Sequence, residues 1–386
     1  MMFVNVLSIV YLVILLGSAL FYAGLVLRMF LAMGRLQKGS DITQPPPSVS
    51  VLVSARNEEA NLTALLDSLL AQDYKGKWDV WIADDRSEDS TPEILSSYAR
   101  KFPEKVHVLT IQDIPPKTSP KKHAITKLVQ ASAGDLLLLT DADCKLLPTW
   151  ISGMVQEFVP GINFVAGHSY LELSEPAKPL LYMQAVETMS YRIAGTAGLA
   201  LHLPLTSTGN NIAYRRSFFQ SVNGFKNVSH IQSGDDDLLM QKAASNPHSM
   251  AYCVAPETFV TTKGKETFSE LWEQRKRWAS KTIYYTPRTI RVLAGIFTFF
   301  LCLTIAPFAF ILNLNLMWPV LFTFILKVLV DILLFRRGLQ VFKQEKLLKQ
   351  NKLQLEGVEE KTDTIINELD QARTNYQGLI DIKVRD

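Results

Sequence analysis

The chain is predicted to be of the α/β class: an open, mostly parallel sheet layered with helices, tied to a membrane by one apolar helix before it and two after it, and ending in a charged helical tail. Three observations predict this. Apolar runs of strand length alternate with runs of helical periodicity over about a hundred residues from Val49, the pattern of parallel strands joined by right-handed helical crossovers. Three much longer apolar runs lie outside that region. Carboxylates gather where successive strands should end, the edge at which open α/β sheets hold ligands.

In chain order, residues 2–27 form an almost uncharged apolar run, about long enough to cross a bilayer as a helix. It lacks the basic start and small-residue cleavage pattern of a secretory signal, so it reads as a retained anchor. Arg28, Arg35 and Lys38 follow at once and place the next segment in the cytoplasm. Residues 1–39 are thus an anchor with a basic flank, and residues 40–48, with Pro45, Pro46 and Pro47, a linker that fits neither helix nor sheet.

The run VSVLV from Val49 is the first buried strand, and Asn57 and Glu58 leave it in a loop. Asn61 stands where it can cap a helix carrying Leu62, Leu65, Leu66, Leu69 and Leu70 at helical spacing. A second strand, from Trp78 to Ala83, ends at Asp84 and Asp85, and Thr91-Pro92 opens the next helix. A third strand, Val106 to Ile111, precedes Lys121, Lys122 and His123 and then a third helix, whose start favours a diphosphate. Four leucines from Leu136 make a fourth strand, followed by Asp141 and Asp143. Two carboxylates two residues apart at a strand end suit a hard divalent cation, which takes oxygen ligands and leaves positions for phosphate.

The net charge of +3 carries no nucleic-acid signature. Cys144, Cys253 and Cys302 have neither metal-ligand nor disulfide spacing, in keeping with a reducing compartment. His107, His168, His230 and His248 likewise lack paired metal-ligand spacing.

The runs VSARNEEANL and ADDRSEDST, the Lys121 segment and LLLLTDADC resemble the nucleotide-binding half of the family 2 glycosyltransferases, which have the GT-A fold. TGNNIAYRR from Thr208, Gly234-Asp235-Asp236, and Gln274, Arg277 and Trp278 are similar to that family's acceptor-half G-x-N-x-A-Y-R-R, G-E-D and QxxRW motifs. The resemblance spans residues 49–278 and implies a membrane-bound enzyme that takes sugar from a nucleotide sugar with Mg²⁺ or Mn²⁺. It implies that Asp85 contacts the nucleobase with Asn57 and Glu58 beside it, that Lys121 and Asp141 lie near the diphosphate, and that Asp143, with Asp141, ligates the metal. Asp236 matches the base that deprotonates the acceptor hydroxyl, although Asp235, Asp236 and Asp237 run together and leave the choice ambiguous by one position. Gln274, Arg277 and Trp278 would border diphosphate and acceptor. Inversion at the anomeric carbon is implied too. Arg86 and Pro120 stand where that family usually has glycine.

Residues 49–290 would form this cytoplasmic GT-A domain. Within it, residues 180–205 are apolar but interrupted by Glu187, Arg192 and His202, with Gly195 and Gly198 breaking helical continuity. They read as an interfacial helix, the lining of an acceptor cleft, or a core helix. Aromatic and basic residues interleave from Phe268 to Arg291, as suits a headgroup layer. Residues 291–337 make a membrane hairpin with basic flanks on both sides, and Asp331 is placed to pair with Arg336 or Arg337. In the tail, residues 338–386, Leu348, Leu355, Thr362, Leu369 and Tyr376 recur every seven residues, with a second seam through Asn351, Val358, Ile365, Ala372 and Leu379. A coiled coil, hence a homodimer or a tether to another helical partner, and a single amphipathic helix both fit.

The reading is a multi-pass cell-membrane enzyme that transfers a sugar in one step to a lipid or lipid-linked glycan. A processive polysaccharide synthase is the enzymatic alternative, and a non-catalytic membrane scaffold the alternative of another class. The identity of sugar, base and acceptor is not written in these motifs.

Overall fold

The computed structural model describes residues 2–36, 45–173 and 178–344. The tail seams and most of the linker lie outside them. The four anticipated strands form as β1 (Val49–Ala55), β2 (Trp78–Asp85), β3 (Val106–Ile111) and β4 (Leu136–Asp141). β1 pairs in parallel with β2 and β4, and β3 pairs in parallel with β2. Short strands extend the sheet: β5 (Phe164–Gly167), β7 (Ile212–Arg215), antiparallel to β4 and β5, and β8 (Met250–Cys253), giving the order β3-β2-β1-β4-β7-β5-β8. β6 (Ser169–Leu171) and β9 (Val260–Thr262) pair separately.

Strands buried on both faces must be apolar throughout, and Leu136, Leu137 and Leu138 are fully buried. One face is covered by α2 (Leu62–Leu70), whose Leu62, Leu65, Leu66 and Leu69 are fully buried, and by Leu95 of α3 (Thr91–Lys101). Ala124, Ile125 and Leu128 of α4 (Pro120–Ala131) are buried as well. The register sets Ser54 beside Asp141 and Ala55 beside Asp84, so the acidic strand ends lie side by side. Gly134 makes the β1–β4 approach feasible: a Cβ there would lie 2.3 Å from the Ser50 nitrogen.

Among the described residues three helices are long and apolar enough to cross a membrane, over Val6–Met33, Pro287–Ile311 and Leu314–Val341. They belong to α1 (Met2–Met33), α10 (Pro287–Leu312) and α11 (Met317–Val341), and α1 packs against both others. Asp331 departs from expectation. It accepts hydrogen bonds from Tyr22 Oη at 2.7 Å and pairs with Lys327 Nζ at 2.8 Å, one helical turn back on its own face.

α6 (Pro179–Ala200) is also continuous through Gly195 and Gly198, against the anticipated break. Those glycines admit the backbone of the returning chain: a Cβ at either would lie 2.6–2.7 Å from the carbonyls of Thr206 and Leu203. α6 packs on α1 and α11. The last turn of α11 reaches the sheet domain, where Phe342 is buried with its ring stacked on His168 at 3.9 Å.

Candidate active site

The first two strand ends are laced together. Asn57 turns into the left-handed region at φ 55°, its N–H donates to Ser87 Oγ at 3.1 Å, and its Oδ1 accepts from the Glu88 N–H at 2.8 Å. Asn61 holds the position before α2 but does not cap it. Its amide donates to Glu58 Oε2 at 2.8 Å and accepts from Lys263 Nζ at 2.6 Å. Asp84 and Asp85 are both buried; Asp84 accepts from the Ser87 N–H, and Asp85 pairs with Arg86 Nε at 3.0 Å. Arg86 stands where the resembling motif has glycine, and its φ of 57° is the left-handed conformation glycine adopts at least cost.

Pro120 occupies the first turn of α4, where its missing N–H costs nothing. Lys121 follows, reaching Asp141 Oδ1 at 2.8 Å and Asp235 Oδ2 at 3.1 Å. Burial works against its charge, yet Asp141 and Asp235 hold its pKa well above the ordinary lysine value. Gly209 of the TGNNIAYRR run leaves room for this contact, since a Cβ there would lie 3.0 Å from Asp235 Oδ2 and 3.2 Å from Lys121 Nζ. Asn211 is fully buried and structural: it donates to the carbonyls of His168 and Thr258 and accepts from Trp150 Nε1. Burial pushes the His123 imidazole, two residues along α4 from Lys121, below the ordinary histidine value; Lys127 adds to this and the Asp85 charge opposes it.

Asp143 has no cationic partner among the described residues; Thr262 Oγ1 lies 3.4 Å from its Oδ2. Burial pushes the Glu58 carboxyl up, the Asn61 hydrogen bond opposes this, and Asp143 and Asp141 add to the rise. The charges of Asp143 and Asp141 thus reach Glu58, with Lys265 opposing them. No group of three or more His, Cys, Asp or Glu side chains among the described residues can hold an ion alone. Two partly exposed carboxylates with spare oxygens fit a hard cation whose remaining ligands come from water or phosphate.

The three consecutive aspartates separate by environment. Asp237, at the start of α8 (Asp237–Ala243), is 1% exposed, and both its oxygens are engaged, by Ser207 at 2.6 Å, Tyr285 Oη at 2.7 Å and Lys281. Asp235 faces Lys121. Asp236 takes its contacts on Oδ1, from the Asp237 N–H and from Lys281 Nζ at 3.2 Å, and its Oδ2 makes no hydrogen bond among the described residues. Burial opposes its charge, but Lys281 first, then that N–H, hold its pKa below the ordinary carboxylate range.

The structure therefore brings Glu58, Lys121, Asp141, Asp143, Asp235 and Asp236 into one connected polar region. No hydrogen bond or ion pair among the described residues joins Gln274, Arg277 or Trp278 to it. All three lie on α9 (Phe268–Ala279), which turns toward α6. Arg275 makes a two-armed pair with Glu187, donates to Gln274 Oε1, and lies 4.2 Å from the centre of the Trp278 ring, whose edge meets Tyr191; Arg277 is exposed. Sequence reasoning missed Lys281 and Tyr285. Each lies among basic and aromatic residues that read as a headgroup layer, and only the fold brings them to the aspartates.

A family model described as glycosyl transferase family 21 matches residues 4–350. The beta-monoglucosyldiacylglycerol synthase of Synechocystis sp. is 27% identical over 261 residues, 63% of this chain and 50% of that one. The Nostoc sp. protein of the same name is 35% identical over 115 residues, 30% of this chain and 23% of that one. An N-acetylglucosaminyltransferase of Rhizobium leguminosarum bv. viciae is 26% identical over 265 residues, 66% of this chain and 60% of that one. The chain thus spans half or less of the two diacylglycerol-glycolipid synthases. Among solved structures, the mannosyltransferase PcManGT of Pyrobaculum calidifontis in complex with GDP-Man and Mn²⁺ superposes with a TM-score of 0.54 at 17% identity, covering 85% of this chain and 99% of that one. The sheet is accordingly of the GT-A kind.

Proposed function

The chain belongs to glycosyl transferase family 21, and from that premise we propose that it transfers one sugar from a nucleotide sugar to the hydroxyl of a membrane lipid or lipid-linked glycan, inverting the anomeric carbon at the cytoplasmic face. The roles are those that the resemblance of its motifs to family 2 implies. The observation that carries the reading is Lys121, which joins Asp141 of the nucleotide half to Asp235 of the acceptor half.

Asp85, Asn57 and Glu58 line the base pocket. Lys121, at a helix N-terminus, is set to pair with the diphosphate. Asp143 and Asp141 would hold Mg²⁺ or Mn²⁺, which when bound offsets the charge that grows on the departing nucleotide. Asp236 is the base. A lipid hydroxyl is a weak nucleophile near neutral pH, and Oδ2 of Asp236 is free among the described residues to take its proton. Asp237, with both oxygens engaged, is not available for that step. One base and no opposing nucleophile give a single displacement. Gln274, Arg277 and Trp278 border the acceptor side, where the exposed Phe268, Trp272 and Ile283 meet the headgroup layer.

The lipid acceptor is favoured by the named products of the synthases above. The test uses the full chain in vesicles containing diacylglycerol, a panel of labelled UDP- and GDP-sugars beginning with UDP-glucose, and Mn²⁺ or Mg²⁺. One sugar per lipid in the organic phase is expected. A polymer ladder would install the processive synthase, and neither transfer nor thermal stabilisation with any donor would leave the scaffold.

A further inference from the structure

Lys281 has no part in the motifs, yet it is the buried cation nearest the proposed base. Its side chain is 8% exposed, its Nζ lies 3.2 Å from Asp236 Oδ1, and it pairs with Asp237 Oδ2 at 2.5 Å. Its stem lies against Gly234, where φ is +84° and a Cβ would come 2.9 Å from Leu238 Cγ and 3.0 Å from Lys281 Cδ. The residues after it fasten the same place. Tyr285 Oη donates to Asp237 at 2.7 Å, the Thr286 N–H donates to Gln241 of α8 at 3.0 Å, and α10 begins one residue later.

We propose that Lys281 is the positioning residue of Asp236: it keeps that carboxylate ionised with Oδ2 turned outward, and fastens it to the segment that enters the membrane. This rests on reading Asp236 as the base. A buried carboxylate reverts to its acid unless a cation faces it. The groups acting on Asp236 are Lys281 after α9, Lys121 and Lys122 on α4, Arg192 on α6, its neighbours Asp235 and Asp237, and Tyr285 before α10. Among them only Lys281 makes a side-chain hydrogen bond to it within the described residues. Asp237 cannot take the base's place, because its oxygens are spent on Ser207, Tyr285 and the same lysine.

A positioning role and a merely structural one part in the pH profile. In vesicles, with the donor and acceptor lipid that the wild type uses in the screen above, Lys281→Met should move the acidic limb of kcat upward by about one pH unit or more. At a given pH on that limb turnover would then fall about tenfold, while the alkaline plateau falls far less. Lys281→Arg, which restores the charge, should return the limb toward the wild-type position. Lys281→Gln keeps a donor without the charge and reads the same displacement should the Met variant not fold. A uniform loss at every pH, or a limb that stays in place, overturns the proposal. Asp236→Asn, measured alongside, separates the two readings: wild-type turnover in it removes the base itself, whereas its inactivity with an unmoved Lys281→Met limb removes only the role of Lys281.

Discussion

Lys121 stands between carboxylates supplied by residues far apart in the chain, at 2.8 Å from Asp141 and 3.1 Å from Asp235. A diphosphate arriving at the start of α4 would draw the same cation. Lys121→Met should weaken donor binding about 10- to 100-fold, the value of one charge-assisted contact of about 1.5–3 kcal/mol. Titration calorimetry with a nucleotide sugar and Mn²⁺ checks this, and the variant should melt within a few degrees of wild type because Lys121 is partly exposed. Lys122, the next residue, has the opposite character. It is buried and donates to the carbonyls of Val228, Ile231 and Ser233, bracing the loop that leads to the three aspartates. Adjacent lysines read alike in the sequence, and only the helix's orientation separates them. The candidate site was legible where carboxylates close or directly follow an apolar strand, as at Asp85, Asp141 and Asp143. It was not legible at Lys281, whose relation to Asp236 spans 45 positions.

Among the elements, β1 to β4 could be read because each is a mostly apolar run of strand length bounded by loop residues. β5 to β9 span three or four residues each, too short for a periodic signal, and β7 lies inside the TGNNIAYRR run that reads as a motif rather than a strand. α6 defeated a different rule. Glycine lowers helix propensity by about 1 kcal/mol, but Gly195 and Gly198 lie where a neighbouring backbone passes too close for a side chain. The same logic at Gly134 gives a stability prediction. Gly134→Ala would press a methyl onto the Ser50 backbone, and the cost should be about 1–3 kcal/mol, read as a lowered melting temperature with the donor affinity per folded molecule unchanged. An unshifted melting curve would mean that the β1–β4 contact is looser than described.

At the scale of the whole molecule, the sheet and the long apolar helices are joined rather than merely connected in sequence. α6 packs on α1 and α11, Phe342 is buried beside His168, and Lys281 and Tyr285 tie the approach to α10 to the aspartates. Within the apolar bundle, Asp331 is held by Lys327 and Tyr22. Asp331→Leu should destabilise the full chain by about 2–3 kcal/mol through an unpaired Lys327, and Lys327→Met together with Asp331→Leu should recover most of it. Melting of the purified chain in detergent checks the cycle; additive losses would mean the pair is uncoupled. Acidic corners from separate parts of the chain meet in one polar region, and amide hydrogen exchange of the full chain, with and without nucleotide sugar and Mn²⁺, reads whether they serve one donor pocket. Joint protection of residues 56–59, 84–88, 141–144 and 234–237 is predicted, and protection confined to one of these segments would contradict it.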